Sequence, residues 1–303
     1  MSIKTRLSPF GIGVTLALVA AACFSLKAIF VKLSYRDAGI APVPLLALRM
    51  AFAMPFFVLF SWKKTDGQAN ISQLQWVWVV VLGLLGYYIS SLLDFLGLQY
   101  ITAALERMIL YLYPTIVLFI NALIKWEKPS RVQWIAVVVT YIGLAIAFFD
   151  PSTIALWSAD QWTGAALVFA CSFTFACYIV GSGKLIPLVG PSKFTSVAMT
   201  AASLGVLAHF ALLDSTPFAN LSQTAYAYGL LIAIFSTVIP SYLVSESIRR
   251  IGSDNVAIVG SVGPVVTIFQ AHWLLNEPIT WQQVVGTLVI ILGVMLLARK
   301  GHA

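Results

Sequence analysis

The chain has 303 residues, of which 60% are hydrophobic and only 10% are charged, and its formal net charge is +7. A soluble domain carries roughly 25% charged residues, so this composition excludes an ordinary soluble protein and predicts a membrane protein. The positive charge does not indicate nucleic-acid binding, because the lysines and arginines lie in short breaks between apolar runs and form no basic patch.

The apolar runs predict ten membrane-spanning helices, since a spanning helix needs about 20 apolar residues. Strands are not expected, because lipid cannot satisfy an open strand's backbone and the alternating polarity of a membrane barrel is absent. The apolar run after Lys4 and Arg6 is too long for a signal peptide and is interpreted as the first span. The predicted spans lie near 10–33, 42–62, 74–95, 101–124, 130–149, 162–182, 191–212, 225–246, 254–275 and 281–299.

The distribution of charge predicts that both chain ends are cytoplasmic. With the N-terminus inside, the cytoplasmic breaks hold most of the basic residues, which are Lys4, Arg6, Lys63, Lys64, Lys125, Lys128, Arg131, Lys184, Lys193, Arg249, Arg250, Arg299 and Lys300. The outer breaks are assigned Lys32 and Arg36 and the acids Asp94, Asp150, Asp160, Asp214 and Glu277. This asymmetry predicts a multi-pass inner-membrane protein with its N- and C-termini in the cytoplasm.

The chain is internally duplicated, because residues 100–146 recur about 150 positions later as 251–296 without a gap. The matched pairs are Pro114 with Pro264, Glu127 with Glu277, Ser130 with Thr280, Gln133 with Gln283 and Gly143 with Gly293. We expect two domains, 1–150 with spans 1–5 and 151–303 with spans 6–10. Since five is an odd number, the second repeat should cross the membrane in the opposite direction to the first, which makes an inverted repeat.

Three segments resemble the EamA family of the drug/metabolite transporter superfamily. They are LLALRMAFAMPFF in the second span, LQYITAALERMILYLYPTIVLFINALIKWEKPSRVQWIAVVVTYIGLAIAF across the fourth and fifth, and SDNVAIVGSVGPVVTIFQAHWLLNEPITWQQVVGTLVIILGVMLLA across the ninth and tenth. The resemblance implies an all-α membrane protein with ten transmembrane helices in two inverted five-helix repeats around a central cavity. It also implies alternating access, often outward, and a substrate anywhere among amino acids, nucleotide sugars, amines, organic anions and drugs. Lys27 departs from the family pattern, in which a polar uncharged residue is frequent at this place.

Four charged residues lie within predicted spans, namely Lys27, Arg49, Glu106 and Arg107. A central charge costs about 2.5–3.5 kcal/mol on insertion scales, so each should face a partner or a wet cavity. We expect Glu106 to pair with Lys27 or Arg49 and not with Arg107, because neighbouring residues point about 100° apart on a helix. The remaining positive charge would bind a carboxylate. The alternative is that the long basic side chains reach the outer headgroups, or that the charges only tie helices together.

Polar residues on the third and fourth spans are the other candidates for binding substrate. Tyr87, Ser91 and Asp94 fall near one helical face, and Tyr111 shares a face with Arg107. Such faces suit a cavity for a small amphipathic molecule, although ordinary helix packing produces them too. Tyr88, which is also a candidate, lies one step round the helix from its neighbour, so one of the two tyrosines should face protein and the other lipid.

Two acids are candidates for proton coupling, and two prolines are candidates for hinges. Glu106 and Glu246 are the acids, and the alternative for Glu246 is a solvated helix end beside Arg249 and Arg250. Pro114 and Pro264 are expected to kink the middle of corresponding helices, either as hinges or as static packing. Neither the three cysteines nor His209 and His272 have metal-ligand spacing, so no cofactor is expected.

These observations favour a secondary transporter that exports a small carboxylate-bearing metabolite, such as an amino acid or an organic acid. Its partners should be an anionic or zwitterionic small molecule and the lipid bilayer, and the chain should be a monomer or a weak homodimer that binds no nucleic acid. An exporter of lipophilic or cationic drugs is the main alternative. A membrane-embedded enzyme and a module that transports nothing fit less well, since no catalytic cluster is evident and intramembrane charges are costly.

Overall fold

The computed structural model describes residues 8–61, 71–125, 129–148, 158–214, 216–275 and 279–300, and every regular element within these ranges is helical. The prediction of an all-α protein is therefore confirmed for the described part of the chain. Several residues used in the sequence argument lie outside it, namely Lys4, Arg6, Lys63, Lys64, Glu127, Lys128, Asp150 and Glu277.

Serine or threonine caps begin many of the helices, and long apolar runs continue them. The first part of the chain contains α1 Pro9–Ala38, α2 Pro42–Ser61, α3 Gln73–Gly83, a π-helical segment Leu84–Ile89, α4 Ser90–Tyr100, α5 Ala103–Leu110, α6 Tyr113–Lys125 and α7 Arg131–Phe148. The second part contains α8 Ala159–Val189, α9 Pro191–Leu213, a short 3₁₀ helix Phe218–Asn220, α10 Gln223–Ala233, a π-helical segment Ile234–Val238, α11 Ile239–Gly260, α12 Gly263–Leu275 and α13 Trp281–Lys300.

Among the described residues, seven helical stretches are long and apolar enough to cross a membrane. The longest of them is Gln223–Gly260. Two further apolar helices, Arg131–Ala147 and Trp281–Gly293, are shorter. Large apolar side chains such as Phe119, Leu123 and Val138 are exposed on the outside of the bundle, where a bilayer would cover them.

Element boundaries recur at a spacing of 150 residues. The π-helical segments begin at Leu84 and Ile234, and the helices that follow the proline breaks begin at Tyr113 and Gly263. The capping residues recur as well, since Ser130 and Gln133 exchange the same two backbone hydrogen bonds as Thr280 and Gln283. The sequence duplication is thus also a duplication of local structure.

A glycine divides the longest stretch into two helices. Gly252 has φ 78° and ψ 162°, which is a conformation that residues with a side chain rarely adopt. The backbone therefore changes direction there, and the helical residues 253–260 of α11 correspond in the repeat to α5.

The middle prolines break their helices completely, where the sequence predicted kinks in continuous ones. Helix α5 ends at Leu110 and α6 begins at Tyr113, with Pro114 in its first turn, and Pro264 occupies the same place in α12. A proline ring clashes with the carbonyl four residues earlier and cannot donate to it, but the first turn of a helix needs no such donor. A new helix therefore starts beside each proline. The prediction of one continuous, kinked helix is wrong, because two separate helices meet there.

The last helices of the two halves, α7 and α13, pack against each other with closely approaching backbones. A β-carbon on Gly143 would lie 2.7 Å from the carbonyl oxygen of Gly286, and one on Gly293 would lie 2.9 Å from that of Ala136. Since Gly143 corresponds to Gly293 and Ala136 to Gly286, the contact is reciprocal. The paired positions run in opposite directions along the two helices, so α7 and α13 are antiparallel.

Candidate binding cavity

A cavity inside the bundle is bordered by residues from both halves of the chain. The wall from the first half includes Lys27, Arg49, Tyr87, Ser91, Arg107 and Tyr111. The wall from the second half consists of Cys171, Phe175, Ile179, Val244, Val256 and Gly260. Six of the eight predicted substrate-binding residues therefore lie around one space, and Tyr88 and Glu106 do not line it.

Arg49, from α2, is the cation in this cavity that has no acidic partner among the described residues. Its side chain is almost completely buried, with 2% exposed. The Nη2 atom lies 3.4 Å from the Ser91 hydroxyl, and the guanidinium carbon lies 5.5 Å from the centre of the Phe95 ring. The Nε and Nη1 atoms make no hydrogen bond, so strong donors remain unused at the cavity wall.

Lys27, from α1, is paired with Asp94 of α4 at an Nζ to Oδ2 distance of 2.6 Å. The assignment of Asp94 to an outer break is therefore wrong, since this carboxylate is fully buried. The prediction that Glu106 would pair with Lys27 or Arg49 is wrong as well. The correct partner could have been predicted from the helical face shared by Tyr87, Ser91 and Asp94. This face places a carboxylate at the depth of Lys27.

Glu106 and Arg107, both from α5, form an ion pair with each other, at 3.0 Å between Oε2 and Nε. The prediction that these neighbours would not pair is wrong, because the long arginine side chain can turn back along its own helix. The geometry is poor for a hydrogen bond, and both Glu106 oxygens lack a well-aligned donor. Arg107 also donates from Nη2 to the Phe24 carbonyl at 3.4 Å, which orients it beside the cavity.

The charges around the cavity do not balance. Three cations, Lys27, Arg49 and Arg107, meet two carboxylates, Asp94 and Glu106, so one positive charge is in excess if all five are ionised. None of the described residues that line the cavity is acidic. The two carboxylates lie behind the wall, and the wall itself presents cations.

Tyrosines supply the aromatic part of the wall. The Tyr87 ring meets the Tyr178 ring edge to face, with centroids 5.0 Å apart, and the two hydroxyl groups lie close to each other. Tyr113 donates to the Ala257 carbonyl at 3.1 Å, which connects α6 to the second half. The neighbouring Tyr111 ring lies 5.8 Å from the Tyr113 ring. The cavity thus offers an apolar aromatic surface together with a phenolic hydroxyl.

Tyr88 and Glu246 lie outside the cavity wall. Tyr88 is half-buried, and its hydroxyl lies 2.8 Å from the His209 Nδ1 atom, whereas the adjacent Tyr87 is buried at the cavity wall. Glu246 contacts Arg249 at 2.5 Å and Arg250 at 2.7 Å, both one helical turn away on α11. This is the arrangement expected of a solvated helix-end acid. The described residues contain no group of three His, Cys, Asp or Glu side chains that could hold a metal ion.

None of the residues in the second-half wall was predicted from the sequence. Val244, Val256 and Gly260 are ordinary apolar positions by composition, and no polar residue marks them. The duplication could not have identified the two valines either, since Val244 corresponds to Asp94 and Val256 to Glu106, and both of these acids lie behind the first-half wall.

Comparison with known proteins gives matches along nearly the whole chain. Residues 11–149 and 162–299 each match the model of the EamA-like transporter family. The "Uncharacterized transporter YcbK" of Bacillus subtilis (strain 168) is 28% identical over 93% of this chain and 91% of its own length. The "Uncharacterized inner membrane transporter YicL" of Salmonella typhimurium is 24% identical over 83% of each chain.

A solved crystal structure of a protein shares the fold. It superposes with a TM-score of 0.73 over 96% of this chain and 99% of that chain, at 14% sequence identity. At this identity the likeness concerns the arrangement of helices alone.

Proposed function

Because the chain belongs to the EamA-like transporter family, we propose that it is a secondary transporter of a small carboxylate-bearing metabolite, either an amino acid or an organic acid. The observation that carries the proposal is the buried, unpaired guanidinium of Arg49 at the cavity wall. A buried charge without a partner is costly, and a substrate carboxylate would supply the missing partner.

The chemistry of the guanidinium favours a carboxylate over other groups. Nη1 makes no hydrogen bond, and Nη2 has a second N–H besides the one that it gives to Ser91, so this edge of the planar group matches the two oxygens of a carboxylate in a bidentate, charge-assisted arrangement. The hydroxyl of Tyr87, which also lines the cavity, can donate a further hydrogen bond to the substrate. A cationic drug would meet three basic residues and no acid at this wall, so the drug-export alternative is disfavoured.

The proposed architecture is ten membrane spans in two inverted repeats, 1–150 and 151–303, with both termini in the cytoplasm of an inner membrane. The antiparallel, reciprocal contact of α7 with α13 supports a two-fold relation between the halves, and the inner-membrane name of the Salmonella relative supports the location. Alternating access would move the substrate outward by rocking one repeat against the other. The breaks at Pro114 and Pro264 are the proposed hinges, since the helices on either side can turn there without losing helical hydrogen bonds.

Proton coupling is proposed at Glu106 in preference to Glu246. Glu106 is fully buried beside the cavity cluster, and its carboxylate lies near that of Asp94, so binding a proton would relieve the repulsion between two buried acids. Glu246 is partly exposed and already paired with two arginines.

Counterflow in proteoliposomes tests the proposal directly. Vesicles loaded with an unlabelled carboxylate should accumulate its labelled form, and the variant Arg49→Gln should abolish this exchange. Exposed Arg36, which pairs with Asp37, provides the matched control Arg36→Gln, which should exchange normally. Failure of all amino and organic acids, together with robust exchange of cationic drugs, would overturn the proposal.

A further inference from the structure

The two halves of the chain have the same backbone plan but place different chemistry in and around the cavity. Where the first half has Asp94 and Glu106, the second has Val244 and Val256 at the corresponding positions, 150 residues later. Both valines line the cavity. Arg107 likewise corresponds to Ala257, so the second half has small apolar side chains where the first half has charged ones.

The second-half wall is apolar over its whole described extent. Phe175 and Ile179 of α8 face the cavity together with the two valines of α11, and Cys171 Sγ lies within 3.2 Å of the Ser90 hydroxyl at the border between the walls. A cavity of this kind binds an amphipathic ligand in one orientation, with the charged end at the first half and the apolar body at the second.

The wall also argues against an ammonium group on the ligand. An α-amino acid carries an ammonium two bonds from its carboxylate, and a site that binds one normally offers an acid or carbonyl groups beside the carboxylate site. Here Arg49 contacts the Ser91 hydroxyl and the Phe95 ring, and the carboxylates of Asp94 and Glu106 lie behind the wall, where they are paired with Lys27 and Arg107. An ammonium would therefore lie among cations.

We propose that the cavity selects a monoanionic organic acid with an unbranched or aromatic apolar body, such as a 2-oxo acid with four to six carbons, over the amino acid of the same skeleton. This inference rests on the proposed function and narrows its substrate class. The carboxylate binds Arg49, the 2-oxo oxygen accepts a hydrogen bond from the Tyr87 hydroxyl, and the hydrocarbon chain lies against Val244 and Val256.

Matched pairs of ligands test the inference on the purified full-length protein. The probes are pyruvate, 2-oxobutyrate, 2-oxovalerate and 2-oxohexanoate, each compared with alanine, 2-aminobutyrate, norvaline or norleucine, and with succinate as a ligand that has a polar body. Dissociation constants come from intrinsic fluorescence or calorimetry. We expect affinity to rise about fourfold for each methylene added to the oxo acid. Each amino acid should bind at least about tenfold more weakly than its oxo-acid partner, because of like-charge repulsion.

Isosteric variants test whether the second-half wall causes the dependence of affinity on chain length. Val256→Thr and Val244→Thr replace a methyl group by a hydroxyl, so both should flatten the dependence of affinity on chain length. The control is Val206→Thr, because Val206 of α9 is equally buried but does not line the cavity. This control should retain the full dependence.

The possible outcomes distinguish failure of the proposed oxo-acid selectivity from failure of the proposed carboxylate transport. If amino acids bind as tightly as the oxo acids, or if affinity does not depend on chain length, the inference is wrong although carboxylate transport stands. If no carboxylate of either series binds, succinate included, the proposed function fails as well.

Discussion

Replacing Arg49 by methionine should abolish carboxylate binding without lowering the thermal stability of the ligand-free protein. The side chain is buried and has no ion-pair partner among the described residues, so its removal leaves no carboxylate unpaired. Burying a lone guanidinium costs several kcal/mol, whereas its stacking over Phe95 returns about 0.5–2 kcal/mol. We therefore expect the ligand-free variant Arg49→Met to melt at the same temperature as the wild type or at a higher one.

The same substitution should remove carboxylate binding. The Nη1 atom and the second N–H of Nη2 share one edge of the guanidinium and are available to both oxygens of a carboxylate. Hydrogen bonds to a charged group contribute about 1.5–3 kcal/mol each, so loss of both should weaken binding by about 3 kcal/mol or more, which is roughly 100-fold. Differential scanning fluorimetry, with and without a carboxylate that stabilises the wild type, measures both effects in one experiment.

Two results would refute the reasoning. Lower thermal stability of ligand-free Arg49→Met would mean that the guanidinium is a structural tie, and unchanged stabilisation by the carboxylate would mean that it is not the binding group. The control Arg36→Met removes an arginine at an exposed ion pair and should change neither quantity.

Three other substitutions test features of the bundle by thermal unfolding, transport or both. Lys27→Met should destabilise the protein by about 3–5 kcal/mol, because Asp94 is left buried and unpaired. The double variant Lys27→Met with Asp94→Asn should regain most of that loss, and additive losses would argue against the pair. Gly143→Ala should cost about 1–3 kcal/mol, because the new β-carbon meets the neighbouring helix backbone at 2.7 Å; normal stability would show that α7 and α13 separate easily. Glu246→Gln should cost less than about 1 kcal/mol, since it removes only exposed ion pairs. A transport rate that no longer depends on pH in this variant would instead assign the coupling proton to Glu246.

Much of the fold could be predicted because lipid imposes simple rules on a sequence. Length and hydropathy located the helices, and the 150-residue repeat predicted which of them have equivalents. The proline breaks were missed in form, because Pro114 alone does not distinguish a kinked helix from two helices joined by a turn. Gly252 was missed because one glycine inside a polar stretch looks like many others.

The charged cluster shows where the prediction had to stop. Periodicity places a side chain on a face of its own helix, but it does not say which neighbouring helix that face meets. Lys27, Arg49 and Arg107 were all predicted near the cavity, whereas their partners were assigned wrongly. The choice among partners depends on helix rotation and spacing, and these are set by packing contacts far along the chain.

The π-helical segment Leu84–Ile89 gives one example of such rotation. A π turn accommodates one additional residue, so everything after it is turned by about 100° relative to an uninterrupted α-helix. The additional residue brings Asp94 round to Lys27, and a chain shortened by one residue there would direct this acid toward another neighbour. Deleting one residue in the middle of this apolar run would therefore change which charged side chains pair beside the cavity. A hydropathy plot would not reveal the change.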